Sequence, residues 1–273
     1  MPDTLSRRGF LIVTPAAGLG VIAANSVLAG ESDRATCAVS GPTSSHFPAQ
    51  DPALVKEVVG LSHRSLEGVR KLVERQPTLA KAAWDWGFGD WETALGAASH
   101  TGQREIALYL IEHGARPDIF TFAMLGNLEA VKAMVTGSPG IQRLPGPHGI
   151  PLLAHAEAGD EAAKPVFDYL SSLGDAGIRY QPSPLSEEEV ARYIGVYSFG
   201  TGATDRVEVK AGKKTPLTLE RAGGSALNLF YKGNGEFHPP GAPAVRIRFV
   251  MEGERAARVE FLDPDLYLAA TRQ

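Results

Sequence analysis

This sequence has almost no cysteine and no excess of positive charge. The chain of 273 residues has one cysteine, Cys37, so an intramolecular disulfide framework is excluded. It holds 27 Lys and Arg against 31 Asp and Glu, a formal net charge of −4. Nucleic-acid-binding proteins favour a concentrated basic face, so we predict no nucleic-acid partner. No group of cysteines and histidines has zinc-finger spacing either.

The common motifs of nucleophilic and phosphate chemistry are also missing. Residues 136–140 and 223–225 both fail the spacing of a G-x-S-x-G elbow. Residues 211–215 lack the upstream glycine of a phosphate-binding loop, and Lys214 occupies its hydroxyl position. We therefore predict a protein with no catalytic residues and no cofactor.

The first 29 residues have the pattern of an export signal. Arg7 and Arg8 lie in the hexapeptide SRRGFL, and an apolar stretch continues to Leu28. This is typical of a twin-arginine signal peptide, with cleavage after Ala29. We predict a periplasmic or secreted protein with no stable membrane insertion after cleavage; an uncleaved anchor is the alternative. Residues 30–51 are polar and aperiodic, which predicts a linker.

A helix-turn-helix pattern runs through residues 93–118. Small apolar residues predict a first helix, Gly102 ends it, and apolar residues then recur at helical spacing up to Gly114, which ends the second helix. The stretch resembles the ankyrin repeat at Thr93, Leu95, Ala98, Gly102, Glu105, Leu110, Gly114, Ala115 and Asp118, and departs from it at Ala94 and Gly96, where the family prefers Pro and His.

The same pattern recurs before and after this stretch. Residues 66–73 and 128–135 align with 104–111 as second helices, and a fourth unit follows over residues 150–170. Gly126 and Gly159 are 33 residues apart, which is the ankyrin period, whereas Gly102 and Gly126 are only 24 apart. We predict an ankyrin-like α-solenoid of about four irregular repeats over residues 52–174.

The last part of the chain changes to an alternating pattern. Residues 175–185 contain two prolines and predict a linker, and residues 186–273 predict a small antiparallel β barrel or curled sheet. Tyr193-Ile194-Gly195-Val196-Tyr197, with Phe249 and Phe261, resembles the small lipocalin-like domain appended to serine β-lactamase-like hydrolases. The fold class is thus α + β multidomain. Seven strands are predicted, at residues 195–199, 206–210, 217–221, 227–231, 245–251, 257–262 and 266–271.

All three tryptophans of the chain fall within eight residues, in the predicted finger between the first two repeats. Ankyrin-like proteins bind partners through fingers and inner helices, and Trp is the commonest binding anchor. Packing of the rings into the junction between repeats is the alternative. The candidate partner-binding residues here are Trp84, Asp85, Trp86, Phe88, Asp90 and Trp91.

The seven histidines are scattered along the chain. His148 and His155 lie seven residues apart in the fourth unit, with His148 in its finger. Metal ligation needs three or four convergent donors, so we expect packed or capping histidines and no metal site. His148 is added to the candidate partner-binding residues because of its finger position.

These patterns together favour an exported, non-catalytic protein–protein interaction module. We predict that a periplasmic protein or peptide binds the ankyrin fingers and inner helices. One alternative is a small-molecule or glycan-binding module that uses the β-domain interior or residues 84–91. The other is an accessory part of a hydrolase system, implied by the second resemblance. The sequence leaves the oligomeric state open.

Overall fold

Helices dominate the first part of the described chain and strands the second. The computed structural model describes residues 44–263 and 266–273. The predicted signal peptide over residues 1–29, most of the predicted linker over residues 30–51, and Cys37 lie outside these ranges. Within them, no helix combines the length and the apolar composition needed to cross a membrane.

The helical part consists of four pairs of helices that follow one another in sequence. The two helices of each pair contact each other, and the first helices of successive pairs also contact each other. A helical repeat needs such contacts, although the resemblance to the ankyrin repeat itself stays a prediction. The helices are α1 (Pro52–Ser62), α2 (Leu66–Arg75), α3 (Ala94–His100), α4 (Arg104–Glu112), α5 (Ile119–Leu125), α6 (Leu128–Gly137), α7 (Leu152–Ala158) and α8 (Asp160–Leu173).

Side-chain caps and left-handed glycines set several of these helix ends. Thr93 Oγ1 accepts a hydrogen bond from the backbone N–H of Gly96 at 2.8 Å, and this confirms the predicted start of α3. Asp118 caps α5 in the same way through the N–H of Thr121. Gly114 has φ of 89°, the left-handed conformation predicted after α4.

The helices bury two apolar clusters. One, around Val59, Val69, Leu95 and Leu110, joins the first two pairs. The other, around Ile119, Val131, Leu152, Val166 and Leu170, joins the last two pairs.

A short β-hairpin interrupts the helices between the first and second pairs. Strand β1 (Ala83–Asp85) pairs antiparallel with β2 (Trp91–Thr93), so that Trp84 lies opposite Glu92. We call residues 86–90, which connect the two strands, the hairpin tip. Three successive tip residues have positive φ: Gly87 at 128°, Phe88 at 57° and Gly89 at 76°. An aromatic residue seldom adopts this conformation without support from its surroundings.

The C-terminal part is a closed antiparallel barrel of eight strands, preceded by helix α9 (Glu187–Tyr193). A capping box starts this helix, because Ser186 and Glu189 exchange backbone–side-chain hydrogen bonds. The strands are β3 (Gly195–Ser198), β4 (Arg206–Ala211), β5 (Leu217–Arg221), β6 (Leu227–Gly233), β7 (Glu236–His238), β8 (Arg246–Glu252), β9 (Arg255–Asp263) and β10 (Leu266–Arg272). Around the barrel the strand order is β10-β3-β4-β5-β6-β7-β8-β9.

The eight strands are one more than the sequence predicts. The additional strand, β7, has only three residues, too few for alternation to be detected. It follows a turn at Asn234-Gly235, where both residues have positive φ, and such Asn-Gly pairs are typical of tight hairpins. Side chains fill the barrel interior: Tyr197, Leu229, Phe237 and Ile247 are fully buried there.

Candidate metal centre

Four side chains from separate segments converge beside the hairpin. His63 follows α1, Glu92 lies on β2, His100 ends α3, and His148 lies in a short turn before α7. One potential ligand atom from each lies within 4.8 Å of those of the other three. We call these four residues the His–Glu cluster.

The three imidazole rings surround the carboxylate of Glu92. The Nε2 atom of His100 lies 2.7 Å from Glu92 Oε1, and that of His148 lies 3.6 Å from the same oxygen. The Nε2 atom of His63 lies 3.5 Å from Glu92 Oε2. Despite the short approach, His100 Nε2 and Glu92 Oε1 do not form an aligned hydrogen bond, and both atoms are buried without a partner.

Contacts outside the cluster fix which ring nitrogen faces Glu92. The Nδ1 atom of His63 lies 3.1 Å from the carbonyl oxygen of Val59, and that of His148 lies 2.9 Å from Asp90 Oδ2. Carbonyl and carboxylate oxygens only accept, so each Nδ1 carries a proton. The Nε2 atoms are therefore left to face Glu92. A ring N–H donated to a carboxylate or carbonyl oxygen is the usual outer contact of a metal-binding histidine.

Asp90 and Trp86, both in the hairpin tip, hold two members of the cluster. Asp90 accepts a second hydrogen bond from the backbone N–H of His148 at 2.9 Å, so its carboxylate binds that residue twice. Trp86 Nε1 donates to Glu92 Oε2 at 3.0 Å. The hairpin tip thus positions Glu92 and His148 from outside.

Burial and charge act in opposite directions on the ionisation of the cluster. Burial alone would raise the pKa of Glu92, but neighbouring His100 and His148 outweigh it and lower the pKa to about 2. Burial alone would lower the pKa of His148, but Asp90 and Glu92 outweigh it and raise the pKa to about 9. Burial dominates at His63 and lowers its pKa. A fully buried carboxylate is thus kept ionised beside histidines.

A fourth histidine borders the cluster. His155 on α7 is fully buried, and its ring lies 6.4 Å from that of His100, centroid to centroid. Its Nδ1 lies 3.1 Å from the carbonyl oxygen of Pro151, while its Nε2 has no hydrogen-bond partner. Burial lowers the pKa of His155 to about 4, so the ring is neutral at pH 7.

The predicted partner-binding residues separate into different environments. Trp91 is 63% exposed, and Asp85 is also exposed. Trp84 and Trp86 are half-buried against the helical core. Phe88 is half-buried at the barrel, where its ring stacks on Phe261 at 6.3 Å. Asp90 is buried and, with His148, belongs to the surroundings of the His–Glu cluster, and binding of a partner by any of these residues stays a prediction.

The sequence patterns did not predict that His63, Glu92 and His100 lie close to one another. His63 and His100 stand at the ends of α1 and α3, the first helices of neighbouring pairs, and these two helices contact each other. An alignment of the first helices, in place of the second, would have placed the two histidines side by side. For Glu92 the sequence offers no comparable signal, because its position depends on the hairpin. Neither the known protein-family models nor the curated proteins give a match to this chain.

Proposed function

We propose that this protein binds a divalent transition-metal ion through His63, Glu92, His100 and His148. The observation that carries the proposal is the convergence of three Nε2 atoms on one buried carboxylate, with outer contacts fixing two of the rings. Imidazole nitrogens with a carboxylate oxygen suit Zn²⁺ and neighbouring ions of the first transition row better than Mg²⁺ or Ca²⁺.

The unpartnered atoms support a cation in preference to a closed hydrogen-bond network. Buried polar atoms usually have partners, and a cation would satisfy His100 Nε2 and Glu92 Oε1 together. The predicted twin-arginine signal supports the view that the metal-binding protein is exported in folded form.

The test is metal binding to the full chain after removal of metals with a chelator. Zn²⁺ titrated into the wild type is expected to bind at one ion per chain, measured by calorimetry, and Co²⁺ is expected to give an absorption spectrum of a bound ion. His100→Gln is expected to weaken Zn²⁺ binding about a hundredfold, because it removes one of four ligands.

His113→Gln is the matched control. His113 follows α4, and its ring packs against Tyr109 outside the cluster. It is expected to bind Zn²⁺ as the wild type does. Failure of the wild type to bind Zn²⁺, or equal binding by the His100 and His113 variants with circular dichroism confirming that both fold, would overturn the proposal.

A second candidate function is the binding of a peptide beside Trp91. A cleft of about 180 Å³ is lined by Trp91, Asp118, Phe120, Pro145 and Pro147, and the exposed indole lies at this cleft. Large exposed aromatic rings beside a cleft are typical anchors for partners. The test is a peptide array probed with the full chain. Trp91→Ala is expected to lose specific peptides that Leu108→Ala, altered at an exposed leucine of α4, retains.

A further inference from the structure

A second site lies at the mouth of the barrel, against the hairpin tip. It is a cavity of about 330 Å³ between Gly87 and Phe88 on one side and barrel residues such as Leu219, Leu227 and Phe261 on the other. This volume lies within the range of small-molecule sites, which are mostly apolar. The fully buried Tyr197, Leu229, Phe237 and Ile247 do not line it, so the cavity lies outside the part of the barrel interior that these side chains fill.

The rim of the cavity carries a cation. Arg221 lines it, with the guanidinium 4.9 Å from the ring of Phe199. Its Nε donates to the carbonyl oxygen of Thr204 at 2.9 Å, whereas its Nη2 lies 4.0 Å from Asp205 Oδ1, beyond hydrogen-bond distance. The outer N–H groups of the guanidinium can therefore pair with an anionic group of a ligand.

The hairpin tip joins this cavity to the His–Glu cluster. Trp86 lines the cavity and also donates its indole N–H to Glu92. Two residues further along, Phe88 holds its unusual positive φ with its ring stacked on Phe261. Asp90, at the other end of the tip, binds His148 through two hydrogen bonds. A molecule lying against Phe88 and Trp86 thus contacts the segment that positions two cluster residues.

We propose that the cavity binds a small amphipathic anion and that its occupancy strengthens metal binding through the hairpin tip. The apolar part lies against Phe88 and Phe261, and the anionic group pairs with Arg221. Fixing the tip fixes the contacts of Trp86 with Glu92 and of Asp90 with His148. By linkage the effect is reciprocal, so that metal strengthens binding of the anion to the same extent. The coupling rests on the proposed metal-binding function, whereas the cavity site does not.

The first experiment tests the cavity with metal-free protein and two probes of equal chain length, 1-octanesulfonate and 1-octanol, in competition with a fluorescent anilinonaphthalene sulfonate. Arg221→Gln is expected to weaken the binding of octanesulfonate about tenfold and to leave the affinity for octanol nearly unchanged, because only the sulfonate pairs with the guanidinium. Arg246→Gln, at an exposed arginine of β8, is the control and is expected to change neither affinity. Absence of saturable probe binding by the wild type, or equal effects of the two substitutions, would overturn the cavity site.

The second experiment tests the coupling by measuring the Zn²⁺ affinity of the full chain with and without saturating octanesulfonate. An increase of about tenfold is expected, within the usual range for coupled sites. In Trp86→Phe, which lacks the indole N–H, the ratio of the two affinities is expected to fall towards one. An unchanged Zn²⁺ affinity in the wild type would overturn the coupling. If no Zn²⁺ binds at all, the proposed function fails, and the metal-free titrations still decide the cavity site.

Discussion

Glu92 in the helical part and Glu260 in the barrel are both buried carboxylates. Fixed hydrogen-bond donors surround Glu260, whereas imidazole rings surround Glu92. Glu260 accepts hydrogen bonds from Arg248 Nε at 2.9 Å, Arg258 Nε at 3.0 Å and the Tyr267 hydroxyl at 3.1 Å. Burial alone would raise the pKa of Glu260, but these donors outweigh it and lower the pKa. Glu92 accepts one aligned hydrogen bond, from Trp86, and otherwise faces ring nitrogens.

The contrast distinguishes a structural carboxylate from one that can bind a cation. Guanidinium and phenol groups are fixed donors, so the surroundings of Glu260 are complete within the barrel. An imidazole can release a proton, and the nitrogen that loses it offers a lone pair to a metal ion. Glu92 therefore lies among groups that an incoming ion can use, and experiments on both glutamates would break or sharpen this difference.

The largest expected effect is the loss of stabilisation by zinc when Glu92 is replaced. At a free concentration a thousandfold above its dissociation constant, Zn²⁺ is expected to raise the free energy of unfolding of the wild type by about 4 kcal/mol. Glu92→Gln is expected to reduce this gain to about 1 kcal/mol, because one ligand is lost. Urea unfolding with and without Zn²⁺ measures both values. Retention of the full gain by the Glu92 variant would place the ion elsewhere.

A smaller effect is expected from Glu260→Gln, and it should not depend on metal. Loss of the charged acceptor is expected to lower the free energy of unfolding by about 2 kcal/mol with or without Zn²⁺. Arg248 and Arg258 remain half-exposed and can be solvated, which limits the loss. The same urea titrations measure it. A Zn²⁺ response reduced in this variant as in the Glu92 variant would remove the distinction between the two sites.

The smallest effect is expected from a buried histidine of the barrel. His238 packs against the rings of Tyr180 and Phe230, and its Nδ1 contacts the carbonyl oxygen of Pro239. Burial lowers the pKa of His238, and the positive charge of Lys232 lowers it further. As the pH falls, the unfolded chain therefore takes up a proton at His238 before the folded chain does. The free energy of unfolding that is present above the ordinary pKa of 6.5 decreases as the pH falls below that value.

His238→Asn removes this titration and keeps an N–H for Pro239. Urea unfolding at pH 7 and pH 5 is expected to show a smaller fall in stability for the variant than for the wild type. An equal loss of stability in the variant and the wild type would mean that the ring is protonated as easily in the barrel as in the unfolded chain.

Local patterns in the sequence predicted the elements of this fold better than its tertiary contacts. Thr93 and Gly114 mark their helix ends by side-chain chemistry and backbone freedom, which are local properties. Alternation of apolar residues likewise identified seven of the eight barrel strands, and of the two predicted forms, a barrel or a curled sheet, the structure has the barrel. The ankyrin resemblance and the export signal stay predictions.

The candidate site was harder to predict because its members are far apart in sequence. His63 and His148 are separated by 85 residues, and each looks like an isolated histidine in its own segment. The tryptophan-rich stretch drew attention to Trp86 and Asp90 as surface groups. Their contacts with Glu92 and His148 depend on the register of a hairpin with three-residue strands, which no periodicity indicates.

Closure of the barrel determines where a neighbouring chain could extend a sheet of this protein. Each of its eight strands is hydrogen-bonded on both sides, which leaves no free edge for edge-to-edge aggregation. Among the described strands, unpaired edges remain only on β1 and β2, which form a separate two-stranded sheet. Within residues 44–263 and 266–273, a polypeptide that binds by β-augmentation would therefore have to add its backbone beside β1 or β2, the strands of Trp84 and Glu92.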